Sequence, residues 1–144
     1  MKVVGVEARD SGLEFTKTLG AQVILDARKG KESVVKELEK EAGRLCKASI
    51  IFSDHPTALP IGAAITAIHG TVVQIALTPT LNIGFQEFIF RDIKLIGSLL
   101  GNSLELEELL QFVSKNKIRI AVTEFNGLKE MPKLMEKARS GEYP

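Results

Sequence analysis

Short runs rich in Val and Ile alternate with stretches of helical periodicity along most of the chain. That alternation constrains the fold more than any other feature. Residues 2–6 (KVVGV), 22–25 (QVIL), 49–52 (SIIF), 71–77 (TVVQIAL) and 94–100 (KLIGSLL) each read as a strand, the first of them buried. Between the first two, Ser11-Gly12-Leu13-Glu14 predicts a capping box, then a short helix through Leu13, Phe15 and Leu19 that stops at Gly20. Residues 31–45 place Val34, Val35, Leu38, Ala42 and Leu45 on one helical face. Ser53-Asp54-His55-Pro56 predicts a turn, and residues 58–68 a small, apolar helix ending at Gly70, its first turns weakened by Pro60 and Gly62. A helix over 102–115 follows from the N-x-x-E start and from Leu106, Leu109, Leu110 and Val113. Residues 117–123 read as extended and 131–138 as a last helix before Gly141. Strands alternating with helices join as βαβ units, so the expected fold is α/β, a parallel sheet with helices on both faces. No repeat, low-complexity tract or linker interrupts residues 1–144, which predicts a single domain.

Charge and cysteine usage exclude several functions. The formal net charge is +1, so no basic field marks a nucleic-acid partner. No apolar stretch is long enough for a bilayer, and MKVVGVEARD has no signal-peptide pattern. Cys46 is the one cysteine, which leaves no intrachain disulfide and points to a reducing compartment. The expected location is the cytoplasm, with neither membrane nor nucleic acid as partner.

Glu7 stands directly after the first apolar run. In dinucleotide-binding folds an acid at the end of the second strand binds the adenosine ribose hydroxyls. Glu7 fits that role, or it solvates a loop; Arg9 beside it could stack on adenine or meet a 2′-phosphate. The glycine-rich fingerprint G-x-G-x-x-G, which should precede such an acid, occurs nowhere in the sequence, and neither does G-x-x-x-x-G-K-[ST]. A pyrophosphate would therefore lack its cradle of helix N-terminal amides. Cys46, His55 and His69 show no zinc-ligand spacing. His55 reads as part of a turn, His69 as a cation at a helix C-terminus, and Cys46 as a buried or half-buried thiol. Phe85, Phe88 and Phe90 form either an exposed patch or a set packed under the sheet or at an interface.

In order and spacing, KVVGVEARDSGLEFTKTLGAQVILDARKGK, SDHPTA, HGTVVQIA, FRDIKLIGSLLGN and VTEFNGLKEMPKLMEKARSG resemble the cofactor-binding domain of zinc-containing medium-chain alcohol dehydrogenases, especially the microbial tetrameric branch. The resemblance covers nearly the whole chain. It implies a Rossmann-like sheet lacking the first, central strand of the order 3-2-1-4-5-6. It implies that Glu7 holds the adenosine ribose, and that Ser53 and Asp54 lie near the adenine and pyrophosphate. Ile75, Ala76 and Leu77 would lie beside the nicotinamide, and the backbone of Ser98 and Leu100 would meet its carboxamide. The implied cofactor is NAD(H), with NADP also open. Zinc belongs to the family, but its ligands and the catalytic domain are not in this sequence, and residues 117–144 resemble the segment returning to that domain. The chain departs from the family at Ala76, where Gly is frequent, and at Ser103, where Arg is frequent.

The resemblance thus implies the C-terminal cofactor-binding portion of such an enzyme, inactive by itself. The alternative is a non-catalytic module for homo-oligomerisation or association with another chain. Without the central strand, the sheet either stays open with two unpaired edges or closes up and repacks its helices.

Overall fold

The computed structural model describes residues 1–140. Two parallel sheets form. Strands β1 (Val4–Glu7) and β2 (Val23–Asp26) pair in the register Val4↔Val23 to Glu7↔Asp26. Strands β3 (Cys46–Ile51), β4 (Thr66–Gln74) and β5 (Lys94–Gly97) lie in that order. Helix α1 (Asp10–Thr18) links β1 to β2, α2 (Lys31–Ala42) links β2 to β3, and α3 (Ala58–Ile65) links β3 to β4. The sheet has stayed open: among the described residues β1 and β3 are not paired to each other.

The described chain divides into two compact units, Met1–Leu100 and the residues from Gly101 onward. The first unit holds both sheets, and its two hydrophobic clusters follow from the strand and helix periods. Val23 and Leu25, two residues apart on β2, meet Val34 and Leu38 of α2 and Ile61 and Ile65 of α3. Ile51, Leu59, Ala63, Val72 and Ile93 form the second cluster, around the three-stranded sheet. Gly62 lets α3 lie close on β3, since a Cβ there would be 2.2 Å from Ile51 Cδ1.

Several expectations fail for local reasons. No capping box forms at Ser11, because α1 begins at Asp10 with Arg9 as its N-cap and no side-chain cap. Ser11 is already helical, so its side chain is past the position from which it would cap. The third helix ends at Ile65 rather than running to residue 68, and β4 starts at Thr66 rather than at 71. The Thr66 hydroxyl meets the Gly62 carbonyl and Ser49 Oγ, both at 2.7 Å. The Arg91 guanidinium donates to the carbonyls of Ala63, Ala64 and Thr66 and pairs with Glu87. A cation from a distant segment thus caps the helix before Gly70 is reached.

His69 is consequently a strand residue with φ 61, not a helix terminus. Its Nδ1 lies 2.9 Å from Asp92 Oδ2. Gly70 does not end a helix either. It lies where the β3–β4 register shifts, between Cys46↔Thr66 and Ala48↔Thr71. Phe88 and Phe90 belong to a π-helical turn, Gln86–Phe90, that the pattern did not predict. They and Phe85 are exposed, and Phe85 and Phe90 stack edge to face.

In the second unit, α4 (Ser103–Asn116) carries the expected cap. Asn102 accepts the amides of Leu104 and Glu105, and Glu105 reaches back to the Asn102 amide at 2.7 Å. Residues 117–123 form no strand, because no neighbouring strand pairs with them. Lys117 turns the chain at φ 50. Helix α5 (Met131–Ser140) follows a 3-10 turn, Leu128–Glu130. The expected Gly141 stop lies outside the described residues. No helix among them is long and apolar enough to cross a membrane.

Cys46 opens β3, half-buried, and burial pushes its thiol pKa up. The thiolate is the reactive form. Iodoacetamide at pH 8 is therefore expected to alkylate Cys46 several-fold more slowly than free cysteine. Equal rates would show that the thiol is open to solvent.

Candidate functional site

In a parallel sheet every strand ends on the same edge, and open α/β folds bind ligands there. The candidate residues occupy such ends. Glu7 is the last residue of β1. Ser53 and Asp54 follow β3, Ile75 to Leu77 follow β4, and Ser98 to Leu100 follow β5. Backbone bonds tie the residues after β4 and β5 to the neighbouring strand. The amides of Ile75 and Ala76 both donate to the Ile51 carbonyl at 3.1 Å, and the Ser98 amide donates to the Gln74 carbonyl at 3.0 Å. Glu7 and Arg9 end the other sheet.

The Glu7 carboxylate is held in place. Its Oε1 accepts the amides of Ala8 (2.8 Å) and Arg9 (3.1 Å), and its Oε2 accepts Arg9 Nη2 at 3.3 Å. Burial pushes its pKa up, but hydrogen bonds from the Arg9 side chain and from the two amides outweigh that and lower it. A depressed folded-state pKa stabilises the fold above the ordinary value of 4.5. That contribution is lost as pH falls below it through the lowered value. Arg9 is thus the partner of Glu7, which reduces its freedom to meet a phosphate. Gly12 was not singled out by its local sequence: a Cβ there would lie 2.5 Å from the Glu7 carboxyl carbon. Only contact across the turn gives this glycine its meaning.

Beside Glu7 in register stands Asp26, also unforeseen. Its carboxylate accepts the Arg28 amide (2.9 Å) and guanidinium (2.8 Å to Nη2). Arg28 also reaches Asp10 at 2.7 Å, tying the end of β2 to the start of α1. Arg28 holds the Asp26 carboxyl below the usual range. Both adjacent carboxylates thus meet two nitrogens of an arginine, Asp26 at 2.9 Å (Nε) and 2.8 Å (Nη2) from Arg28, Glu7 more loosely at 3.5 Å (Nε) and 3.3 Å (Nη2) from Arg9.

At the other strand ends, the Ser53 hydroxyl accepts the His55 amide at 3.2 Å, and His55 Nδ1 lies 2.8 Å from Thr57 Oγ1. His55 therefore shapes the turn, as its sequence setting predicted. Gln74 is buried; its Nε2 donates to the Ala76 carbonyl at 2.7 Å, while its Oε1 has no partner among the described residues. That leaves one acceptor at the carboxyl end of β4 without a donor, a signal that sequence spacing does not carry.

The described residues do not fit a zinc centre. No three His, Cys, Asp or Glu side chains gather where they could hold an ion. A nicotinamide dinucleotide fits in part: Glu7 has acceptor capacity left at a strand end, but no glycine-rich loop follows any strand.

Residues 1–115 match the family model described as zinc-binding dehydrogenase. The chain belongs to that family. An alcohol dehydrogenase of Schizosaccharomyces pombe is 24% identical over 139 residues, 94% of this chain and 39% of that protein. The chain thus spans well under half of the curated relatives it matches. The alcohol dehydrogenase of Aeropyrum pernix superposes with a TM-score of 0.81 at 23% identity, over 98% of this chain and 40% of that one. A crotonyl-CoA carboxylase/reductase in complex with NADP superposes with a TM-score of 0.84 at 17% identity, covering 98% and 41%. The shared fold is that of zinc-type dehydrogenase cofactor domains, as the resemblance implied.

Proposed function

We infer that this chain is the cofactor-binding portion of an NAD(P)-dependent alcohol dehydrogenase of the zinc-binding dehydrogenase family. The observation that carries the reading is the clamped, ionised Glu7 at the end of a parallel strand, with Ser53, Asp54, Ile75 to Leu77 and Ser98 to Leu100 at the other strand ends. In the complete enzyme the nicotinamide ring supplies hydride transfer to or from an alcohol. Glu7 Oε2 would accept from the adenosine ribose, and the backbone of Ile75 to Leu77 and of Ser98 to Leu100 would orient the nicotinamide carboxamide. Ser53 and Asp54 would line the path between them. Zinc has no ligand set among the described residues, so it would be held outside them. The chain by itself is expected to oxidise no ethanol when given NAD and zinc; measurable turnover would sink that expectation.

Ligand-observed NMR titration with NADH tests the assignment. Hydrogen bonds to a charged group contribute about 1.5–3 kcal/mol, so Glu7→Gln is expected to weaken binding about ten- to a hundredfold. Wild-type binding is expected to stay flat from about pH 8 to about pH 5, because Glu7 remains ionised there. Without the pyrophosphate cradle the isolated chain is expected to bind NADH weakly or not at all; where binding is measurable, unchanged affinity in the variant would overturn the reading. The carboxylate also repels a 2′-phosphate, so NADH should bind ahead of NADPH; a tenfold preference the other way would reverse the cofactor assignment.

The exposed apolar side chains of Phe85, Ile89 and Phe90 favour a second reading, a non-catalytic oligomerisation or interaction module. A strictly monomeric elution in size-exclusion chromatography would remove its support.

A further inference from the structure

We propose that Gly12 is the positioning residue for the Glu7 carboxylate: the side chain that Gly12 lacks is the space in which the carboxyl group lies. The positioning rests on contacts within the chain. Its meaning for a cofactor rests on the dinucleotide reading above, which gives Glu7 the adenosine ribose.

The helical and strand periods bring Gly12 to Glu7. Helix α1 runs back over β1 after the turn between them. Thr16 covers Gly5, where an added Cβ would meet Thr16 Cγ2 and the Ala21 side chain. Gly12 stands four residues before Thr16, about one turn of helix and about 6 Å of rise. Glu7 stands two residues after Gly5, on the same face of β1 and about 6.6 Å along it. The two steps nearly match, so the helix that seats Thr16 on Gly5 seats Gly12 on Glu7. Each contact sets a glycine against a larger side chain, with the glycine on the strand in the first and on the helix in the second.

Nothing else among the described residues requires glycine at position 12. It does not share the positive φ of Gly20, Gly30, Gly43 and Gly127. It lies inside α1, where alanine is the better helix former. Its carbonyl accepts the Thr16 hydroxyl at 2.7 Å, as the carbonyl of any residue would. A Cβ there, however, would lie 2.5 Å from each of Glu7 Cγ, Cδ and Oε2. That is well inside van der Waals contact. The Glu7 side chain can turn away only by releasing the Ala8 and Arg9 amides from Oε1 and by giving up the Arg9 guanidinium.

Oε2 is the oxygen that the dinucleotide reading leaves to the ribose. Gly12 has no side chain to cover it, and the Glu7 side chain is 27% exposed. An aspartate is one methylene shorter. It needs less room over α1 and would still reach the Arg9 amide, as an Asx turn does. One carbon added at position 12 should therefore be offset by one carbon removed at position 7.

The test follows the carboxyl carbon of residue 7 by NMR through a pH titration of the full 144-residue chain. Four chains are compared: wild type, Gly12→Ala, Glu7→Asp and the double variant. In the wild type the hydrogen bonds hold the Glu7 midpoint below 4.5. Gly12→Ala should raise it to 4.5 or above, because bonds to the ionised form are lost. The double variant should titrate below an ordinary aspartate, as Glu7→Asp alone does. Asp10, Asp26 and Arg28 are common to all four chains and drop out of the comparison. Alanine at a helical glycine with no neighbour would strengthen the helix and leave the titration where it was. An unmoved midpoint in Gly12→Ala would therefore overturn the proposal, and so would a double variant that titrates no lower than an ordinary aspartate. If Gly12→Ala does not fold, the double variant decides: a folded one supports the pairing and an unfolded one overturns it. Millimolar adenosine in the same samples separates the positioning from the dinucleotide reading. Shifts of the Ala8 and Arg9 amides in the wild type and the double variant, with affinity about tenfold weaker in Gly12→Ala, support both. A raised midpoint in Gly12→Ala with no adenosine response in any chain keeps Gly12 as the positioning residue and counts against Glu7 as the ribose acceptor.

Discussion

Leu38→Ala is expected to lower the unfolding free energy by about 2–5 kcal/mol, the range for deleting a buried leucine side chain. Leu38 is fully buried, among Val23 and Leu25 of β2 and Ile61 and Ile65 of α3. Its position argues for the upper half of that range. The two sheets share no strand-to-strand hydrogen bonds, so the apolar cluster around α2 and α3 is what joins them. A cavity at Leu38 removes dispersion contacts from both sides of that joint. The total stability of a small domain is only about 5–15 kcal/mol, so the loss would take much of it. Urea denaturation followed by circular dichroism checks this, with exposed Leu104→Ala as the comparison. A loss below about 1 kcal/mol at Leu38 would mean that this cluster does not hold the sheets together.

Gly70→Ala is expected to cost about 3 kcal/mol, at the high end for overpacking. A Cβ at Gly70 would lie 2.4 Å from Thr66 Cγ2, 2.7 Å from the Ala67 carbonyl oxygen and 3.0 Å from that of Lys47. Two of these three are backbone atoms, one of them on the neighbouring strand, and neither can swing aside. Gly62 provides the contrast, since the atom nearest its added Cβ is the tip of Ile51, which can turn away. The same denaturation series should rank Gly70→Ala below Gly62→Ala in stability. The reverse order would show that the chain opens at the β3–β4 irregularity without cost.

Much of this fold was legible in the residues. The Val/Ile runs marked the place of all five strands, because β-branched side chains favour extended backbone, but not their bounds or burial: β3 starts at Cys46, β5 ends at Gly97, and neither β1 nor β5 holds a buried residue. The N-x-x-E start of α4 was legible because its cap is a local hydrogen-bond exchange between Asn102 and Glu105. Glu7 was legible too, as an acid ending a strand. What failed was decided at long range. Helix α3 ends at Ile65 because Arg91, 25 residues beyond Thr66, takes its terminal carbonyls. Residues 117–123 carry strand-like alternation, but the structure pairs no strand with them. The approach of Gly12 to Glu7 and the orphaned Gln74 oxygen have no counterpart in residue spacing.

The sequence by itself determined the order of elements, the apolar faces and the absence of a glycine-rich loop, because each is set by residues a few positions apart. Only the tertiary structure decided where α3 yields to β4, which arginine neutralises which carboxylate, and that β1 and β3 remain unpaired. Those outcomes depend on groups far apart in the chain meeting in space, and local hydrogen-bonding and hydrophobic periods carry no record of such meetings.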